Sequence, residues 1–178
     1  MMPHEKHRAE SPKKIRAAVL TASSSRYFKK IRGEEYVDES GELAVALLEK
    51  QGYEVVYLGV VNDDVWMIRD SVIRAMAEGN DVVVVTGGTG ISPRDVTVEA
   101  VRPLLDKEME GFGEIFRVES YRQIGPAAAM SRAVSGTANG RLIMALPGSP
   151  KAVALALELF AGEIPHMLHI ARGGHTCG

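Results

Sequence analysis

Residues 82–85 are four consecutive valines, bounded by Asp81 and by Thr86-Gly87-Gly88-Thr89-Gly90. Four β-branched side chains with no polar alternation do not suit a strand with one wet face; they predict a strand covered on both faces, at the centre of a parallel sheet. Parallel neighbours need long crossovers, usually helical, so strands and helices should alternate along the chain.

The flanking sequence has that alternation. A short apolar run spans residues 15–22, and Leu43, Ala44, Leu47 and Leu48 recur at helical spacing before a stop at Gly52. A strand is predicted over 53–60. Residues 64–78 then place Val65, Ile68, Val72, Ile73 and Met76 on one helical face, closed by Gly79. Further helices are predicted around 96–105, 112–122 and 126–134, then a strand at 142–146. A helix over 149–163 opens with Pro150, and Pro165 separates it from a last helical piece. The expected fold class is α/β, a three-layer α/β/α sandwich with a mostly parallel central sheet and right-handed crossovers. Residues 1–14 lack periodicity and read as a flexible N-terminal arm, 15–172 as a single α/β domain and 173–178 as a flexible tail. Residues 23–38 read as a loop long enough to carry function.

Composition narrows the function classes. With 21 Lys plus Arg against 23 Asp plus Glu, the formal charge is −2, so a basic face for nucleic acid has no support. One cysteine, Cys177, excludes a disulfide framework and any multi-cysteine metal site, and a reducing, cytoplasmic compartment is the expectation. No apolar run of membrane-spanning length and no apolar signal core stand out, so no membrane role is expected. With 46% hydrophobic residues in 178, the chain can fill one core unaided.

In open α/β sheets, ligands bind beyond the carboxyl ends of the strands. After the valine strand, Thr86, Gly87, Gly88, Thr89 and Gly90 let backbone N–H groups approach an anion, or form a tight turn that needs glycine for its dihedrals alone. The loop is not a Walker A sequence, because no Gly-Lys-Ser/Thr follows. Nor is it the dinucleotide fingerprint, because Pro93 stands where the third glycine belongs. Asp95 opens the next helix, placed either to hold a Mg2+ carrying ligand phosphates or to favour the helix N-terminus. Asn62, Asp63 and Asp64 follow the preceding strand and offer a second carboxylate or a helix cap. Ser149 and Lys151 sit at a turn into a helix that could meet phosphate, and Ser40 and Gly41 at another helix start. His166 and His169, three apart, read as surface residues, and Phe112 and Trp66 as core or interface packing.

The run Thr86-Gly87-Gly88-Thr89-Gly90, then Pro93-Arg94-Asp95-Val96-Thr97, Gly111-Phe112-Gly113-Glu114, Ser131-Arg132-Ala133 and Leu146-Pro147-Gly148-Ser149-Pro150-Lys151-Ala152, resembles the molybdenum cofactor biosynthesis protein B family. That family is close to the molybdopterin adenylyltransferases and the gephyrin G-type domains. The resemblance covers roughly residues 15–170 in the family's order. It implies a homotrimer or homohexamer that uses ATP and Mg2+ to adenylylate molybdopterin, releasing pyrophosphate, and possible hand-over of the product to a molybdenum insertase. On the same ground, Asp63 and Asp95 match the catalytic, metal-holding acidic positions. Thr86, Gly87, Gly88, Thr89, Gly90, Ser40, Gly41, Ser149 and Lys151 match substrate-binding positions. Asn62 departs from the pattern, since active relatives often carry proline there, and Asp64 leaves the match at Asp63 open by one residue. Two other expectations remain beside the enzyme: a non-catalytic carrier of molybdopterin or finished cofactor, and a phosphate-ester enzyme like the domains of competence-damage-type proteins.

Overall fold

A computed structural model describes residues 14–174. Six strands form one sheet: β1 (Arg16–Ala22), β2 (Glu54–Val61), β3 (Val82–Thr86), β4 (Lys107–Glu108), β5 (Val134–Ala138) and β6 (Arg141–Leu146), in the order β2-β1-β3-β6-β5-β4. β2, β1, β3 and β6 run parallel, and β5 is antiparallel to both β6 and β4. The helices are α1 (Ser24–Ile31), α2 (Glu39–Lys50), α3 (Val65–Ala77), α4 (Thr97–Val101), α5 (Glu110–Ile124), α6 (Pro150–Phe160) and α7 (Ile164–Ala171).

The valine strand lies inside the sheet, and all four valines are fully buried. Val82 and Val84 point to one core with Ala44 and Leu48 of α2, Phe112 and Phe116 of α5, and Val153 and Leu157 of α6. Val83 and Val85 point to the other core with Ile68, Val72 and Ala75 of α3, and Ala100 and Val101 of α4. Alternate residues of one strand thus serve two apolar layers, which is the three-layer arrangement expected.

Several local expectations change. The stretch read as a loop after β1 contains α1, whose Tyr27, Phe28 and Ile31 recur at helical spacing over one short stretch among serines and basic residues, with no residue fully buried. Residues 126–134 are not an α-helix. A 3-10 segment, Gly125–Met130, is followed by β5, whose Ser135 and Gly136 break the apolar pattern of a strand. Ile73 is exposed, and Ala75 takes the inward position on α3. Trp66 is 71% exposed, with the Arg69 guanidinium 5.0 Å from its ring centroid, so it is not core packing. Pro150–Ala171 runs 22 residues and is apolar enough by length and composition to cross a bilayer, which corrects the expectation of no such run. Its Val153, Ala156, Leu157, Phe160, Ile164 and Leu168 are buried in the core against the sheet. The expected arm apart from Lys14, the tail apart from Gly173 and Gly174, and His4, His7 and Cys177 lie outside the described residues.

Two polar contacts seat this apolar helix. Ser149 caps α6 by accepting from Ala152 N at 3.2 Å. The Tyr53 hydroxyl donates to the Ala161 carbonyl at 2.5 Å, and burial, with Glu163 nearby, pushes its pKa up to about 12.

Replacing Leu157 with Ala should cost about 2–5 kcal/mol of unfolding free energy in urea, whereas Glu158→Ala on the exposed face should cost under about 0.5 kcal/mol. A Tyr53 pKa raised above its ordinary value of 10 favours the folded state below pH 10, and that stabilisation is lost as pH rises from 10 through about 12. Urea midpoints should therefore fall more steeply across this range in the wild type than in Tyr53→Phe.

Candidate functional site at the strand ends

Because β2, β1, β3 and β6 are parallel, their C-terminal ends open on one edge of the sheet. Chain leaving them supplies Asp63 after β2, Ser23 and Ser24 after β1, the glycine loop after β3 and Ser149 after β6.

The glycine loop is held by its neighbours. Gly87 N donates to Leu146 O at 2.9 Å, and the residue adopts φ +90 with its Cα face against the Ala22 carbonyl. A side chain there would strain the backbone and collide with that carbonyl. The Thr97 hydroxyl donates to Gly87 O at 2.7 Å, and Thr97 N to Gly88 O at 3.0 Å, tying the loop to the start of α4. Thr86 is buried, its hydroxyl 3.1 Å from that of Thr21. Thr89 is buried too, its carbonyl accepting from Arg132 N at 2.8 Å.

Asp95 folds back over Gly90. Its Oδ2 accepts from Ser92 N at 2.9 Å, and a Cβ on Gly90 would lie 2.7 Å from that oxygen. Arg132 reaches the same segment from the chain before β5. Its Nε donates to Gly90 O at 2.8 Å and one terminal nitrogen to Asp95 O at 3.1 Å, while Glu99 pairs with the guanidinium. This pairing lowers the Glu99 pKa and raises that of Arg132.

Asp63 is not a helix cap; that role belongs to Asp64, which accepts from Met67 N at 2.8 Å. Asp63 Oδ2 instead accepts from both the amide and the hydroxyl of Ser24, at 2.8 and 2.7 Å. β2 and β3 flank β1, so the strands that present Asp63 and Asp95 stand about 10 Å apart.

The remaining sequence candidates gather around the same edge. Asp38 is 3% exposed, caps α2 by accepting from Gly41 N at 3.2 Å and accepts from the Tyr57 hydroxyl at 2.6 Å. Burial first, then the Asp38 carboxylate, pushes the Tyr57 pKa well above its ordinary range. Any Cβ at Gly41 would crowd the Asp38 carboxylate and the Thr21 hydroxyl. Ser40, buried, donates its hydroxyl to Gly148 O at 2.5 Å, joining the start of α2 to the β6–α6 turn. Lys151 is exposed in the first turn of α6. The loop serines 23–25 stand out in sequence, but reading them as weak anion donors does not pair Ser24 with Asp63, and the latch made by Arg132 was missed; the only hint of it was the Ser131-Arg132-Ala133 motif.

Among the described residues no three His, Cys, Asp or Glu side chains converge on a metal position. A Mg2+ shared with phosphates does not require such a cage, since one or two carboxylates, waters and the ligand complete its shell. Asp63 and Asp95, part-buried and each held through Oδ2, fit that donor set. Beside Arg132 opens a cavity of about 430 Å3, also lined by Arg102, Arg117, Glu110, Glu114 and Ser131.

A family model described as a probable molybdopterin binding domain matches residues 18–167. A molybdenum cofactor biosynthesis protein B from Staphylococcus aureus (strain MRSA252) is 45% identical over 159 residues, 87% of this chain and 90% of that protein. A molybdopterin adenylyltransferase from Pyrococcus furiosus is 41% identical over 172 residues, 94% of this chain and 98% of its own length. The crystal structure of a tungsten cofactor synthesizing protein, MoaB from Pyrococcus furiosus, superposes with a TM-score of 0.80 at 40% identity, covering 91% of this chain and 99% of that one. The family match over most of the chain and identities of 41–45% to these relatives agree: the chain belongs to the molybdenum cofactor biosynthesis protein B family.

Proposed function

We propose that this protein is a molybdopterin adenylyltransferase, using Mg-ATP to convert molybdopterin to adenylyl-molybdopterin. The observation that carries this reading is a glycine loop pinned at parallel strand ends, with one anchored carboxylate folded back over it, Asp95, and another at the end of β2, Asp63. The Pyrococcus furiosus relative that bears this activity in its name supports it.

The reaction needs alignment and charge balance more than proton transfer. A terminal phosphate oxygen of molybdopterin attacks the α-phosphorus of ATP, a new P–O bond forms, the α–β bridging P–O bond breaks, and pyrophosphate leaves. Gly87 N–H is taken up by Leu146 O, so the loop N–H groups suited to phosphate oxygens are those from Gly88 to Gly90, with Ser149 and Lys151 at the neighbouring helix start as further anion partners. Asp63 and Asp95 would hold the Mg2+, which offsets phosphate charge as pyrophosphate departs. Arg132 keeps the Thr89–Asp95 segment in register by binding three of its carbonyls. The 430 Å3 cavity beside it has the size of a small-molecule site and room for a pterin.

The reading extends to a homotrimer or homohexamer in the cytoplasm that passes its product to a molybdenum insertase. Oligomerisation has support in α5, whose Ile115, Val118, Tyr121 and Ile124 are exposed on the side opposite the buried Phe112 and Phe116.

Purified protein with ATP, Mg2+ and molybdopterin should release pyrophosphate, and omission of the pterin should abolish release. Asp95→Asn should lower kcat by about 100-fold or more with a much smaller change in KM. Pterin binding with no pyrophosphate release would instead make the protein a carrier. In sedimentation equilibrium the wild type should be trimeric or hexameric, and Val118→Glu with Ile115→Glu should shift it towards the monomer; a monomeric wild type would remove the oligomer from the reading.

A further inference from the structure

We infer that Ser24 is the positioning residue for Asp63. This inference rests on the adenylyltransferase reading for its functional meaning, and on the geometry at Asp63 for its physical content.

α1 has no fully buried residue, and of its apolar side chains only Tyr27 is half-buried, beside Leu20, Leu58, Val60 and Val61, so apolar packing holds it at one point. Its N-terminus is fastened to the end of β2. Ser23 N donates to Val61 O at 2.9 Å, and Ser24 gives both its amide and its hydroxyl to Asp63 Oδ2. The exchange is reciprocal, because Asp63 N lies 3.4 Å from Ser24 Oγ as its donor. Ser23 caps the same helix by accepting from Arg26 N at 3.4 Å. On the far side, Arg26 Nε donates to Val37 O at 2.8 Å and closes the segment that returns to α2.

Two donors on one oxygen restrain that end of the carboxylate and leave Oδ1 with neither bond. A carboxylate with free rotation would sample orientations that do not serve a cation shared with phosphates. One held at Oδ2 is pre-set for single-oxygen ligation through the other atom. The partial positive charge of a helix N-terminus adds to the hold on the anion. The amide bond survives any side-chain replacement at position 24, whereas the hydroxyl bond needs Ser or Thr, so the side-chain part of the clamp can be removed alone.

The test compares wild type, Ser24→Ala and Ser24→Thr by steady-state pyrophosphate release, Mn2+ affinity measured by EPR in the presence of ATP, and thermal midpoint. Loss of a hydrogen bond to a charged group predicts about a tenfold fall in kcat for Ser24→Ala with KM for ATP within about twofold, and Mn2+ affinity weaker by about tenfold. Ser24→Thr should restore both to within about threefold of wild type. The thermal midpoint of Ser24→Ala should fall by no more than about 5 °C, the cost of one hydrogen bond, and Ser24→Thr should recover it. Wild-type kcat and Mn2+ affinity in Ser24→Ala would overturn the inference, as would losses that follow a lowered midpoint and are not recovered by threonine. Should the wild type release no pyrophosphate at all, the adenylyltransferase reading fails alone, and the Mn2+ comparison still decides whether Ser24 orders Asp63.

Discussion

Everything at the strand ends depends on β3 being dry on both sides. Its valines join the apolar layer under α2, α5 and α6 to the layer under α3 and α4, and in doing so fix the level at which the strand stops. Thr86 and Gly87 emerge where β1 and β6 also end, so Gly87 meets the Ala22 carbonyl on one side and Leu146 O on the other. A loop whose backbone is pinned to both neighbouring strands keeps its remaining N–H groups fixed without help from a ligand. Preorganisation of that kind is what electrostatic catalysis on phosphates requires.

Second-layer contacts extend this order outward. Arg132 binds the carbonyls of Gly90 and Asp95, Ser24 binds Asp63, and Ser40 binds Gly148. Each joins a loop at one strand end to chain from a different element. The Asp63 carboxylate is thereby placed by a contact distant in sequence, the Asp95 carboxylate by its near neighbour Ser92 with only its carbonyl held from afar, and the glycine loop mainly by the sheet itself.

That difference explains what could be read from the amino-acid order. The valine strand, the crossover helices α2 and α3, and the glycine loop with Asp95 are local patterns, and each was legible because periodicity or a short motif carries it. α1 was not, because its apolar period, Tyr27, Phe28 and Ile31, is barely a turn long and sits among serines and basic residues that suit a loop equally well. β5 was not, because Ser135 and Gly136 hide a strand whose partners, β4 and β6, decide its existence. Whether Asp63 or Asp64 caps α3 is ambiguous in sequence and is resolved only by Ser24, on the far side of β2 and α2 in the chain. The family resemblance supplied a choice among acidic residues that spacing alone left open.

The single tryptophan of the chain sits in the first turn of α3, exposed beside Arg69, two residues beyond the cap Asp64. The protein thus carries one exposed indole three residues along the chain from Asp63, a label-free fluorophore whose contact with Arg69 belongs to the folded state and is lost when α3 unwinds.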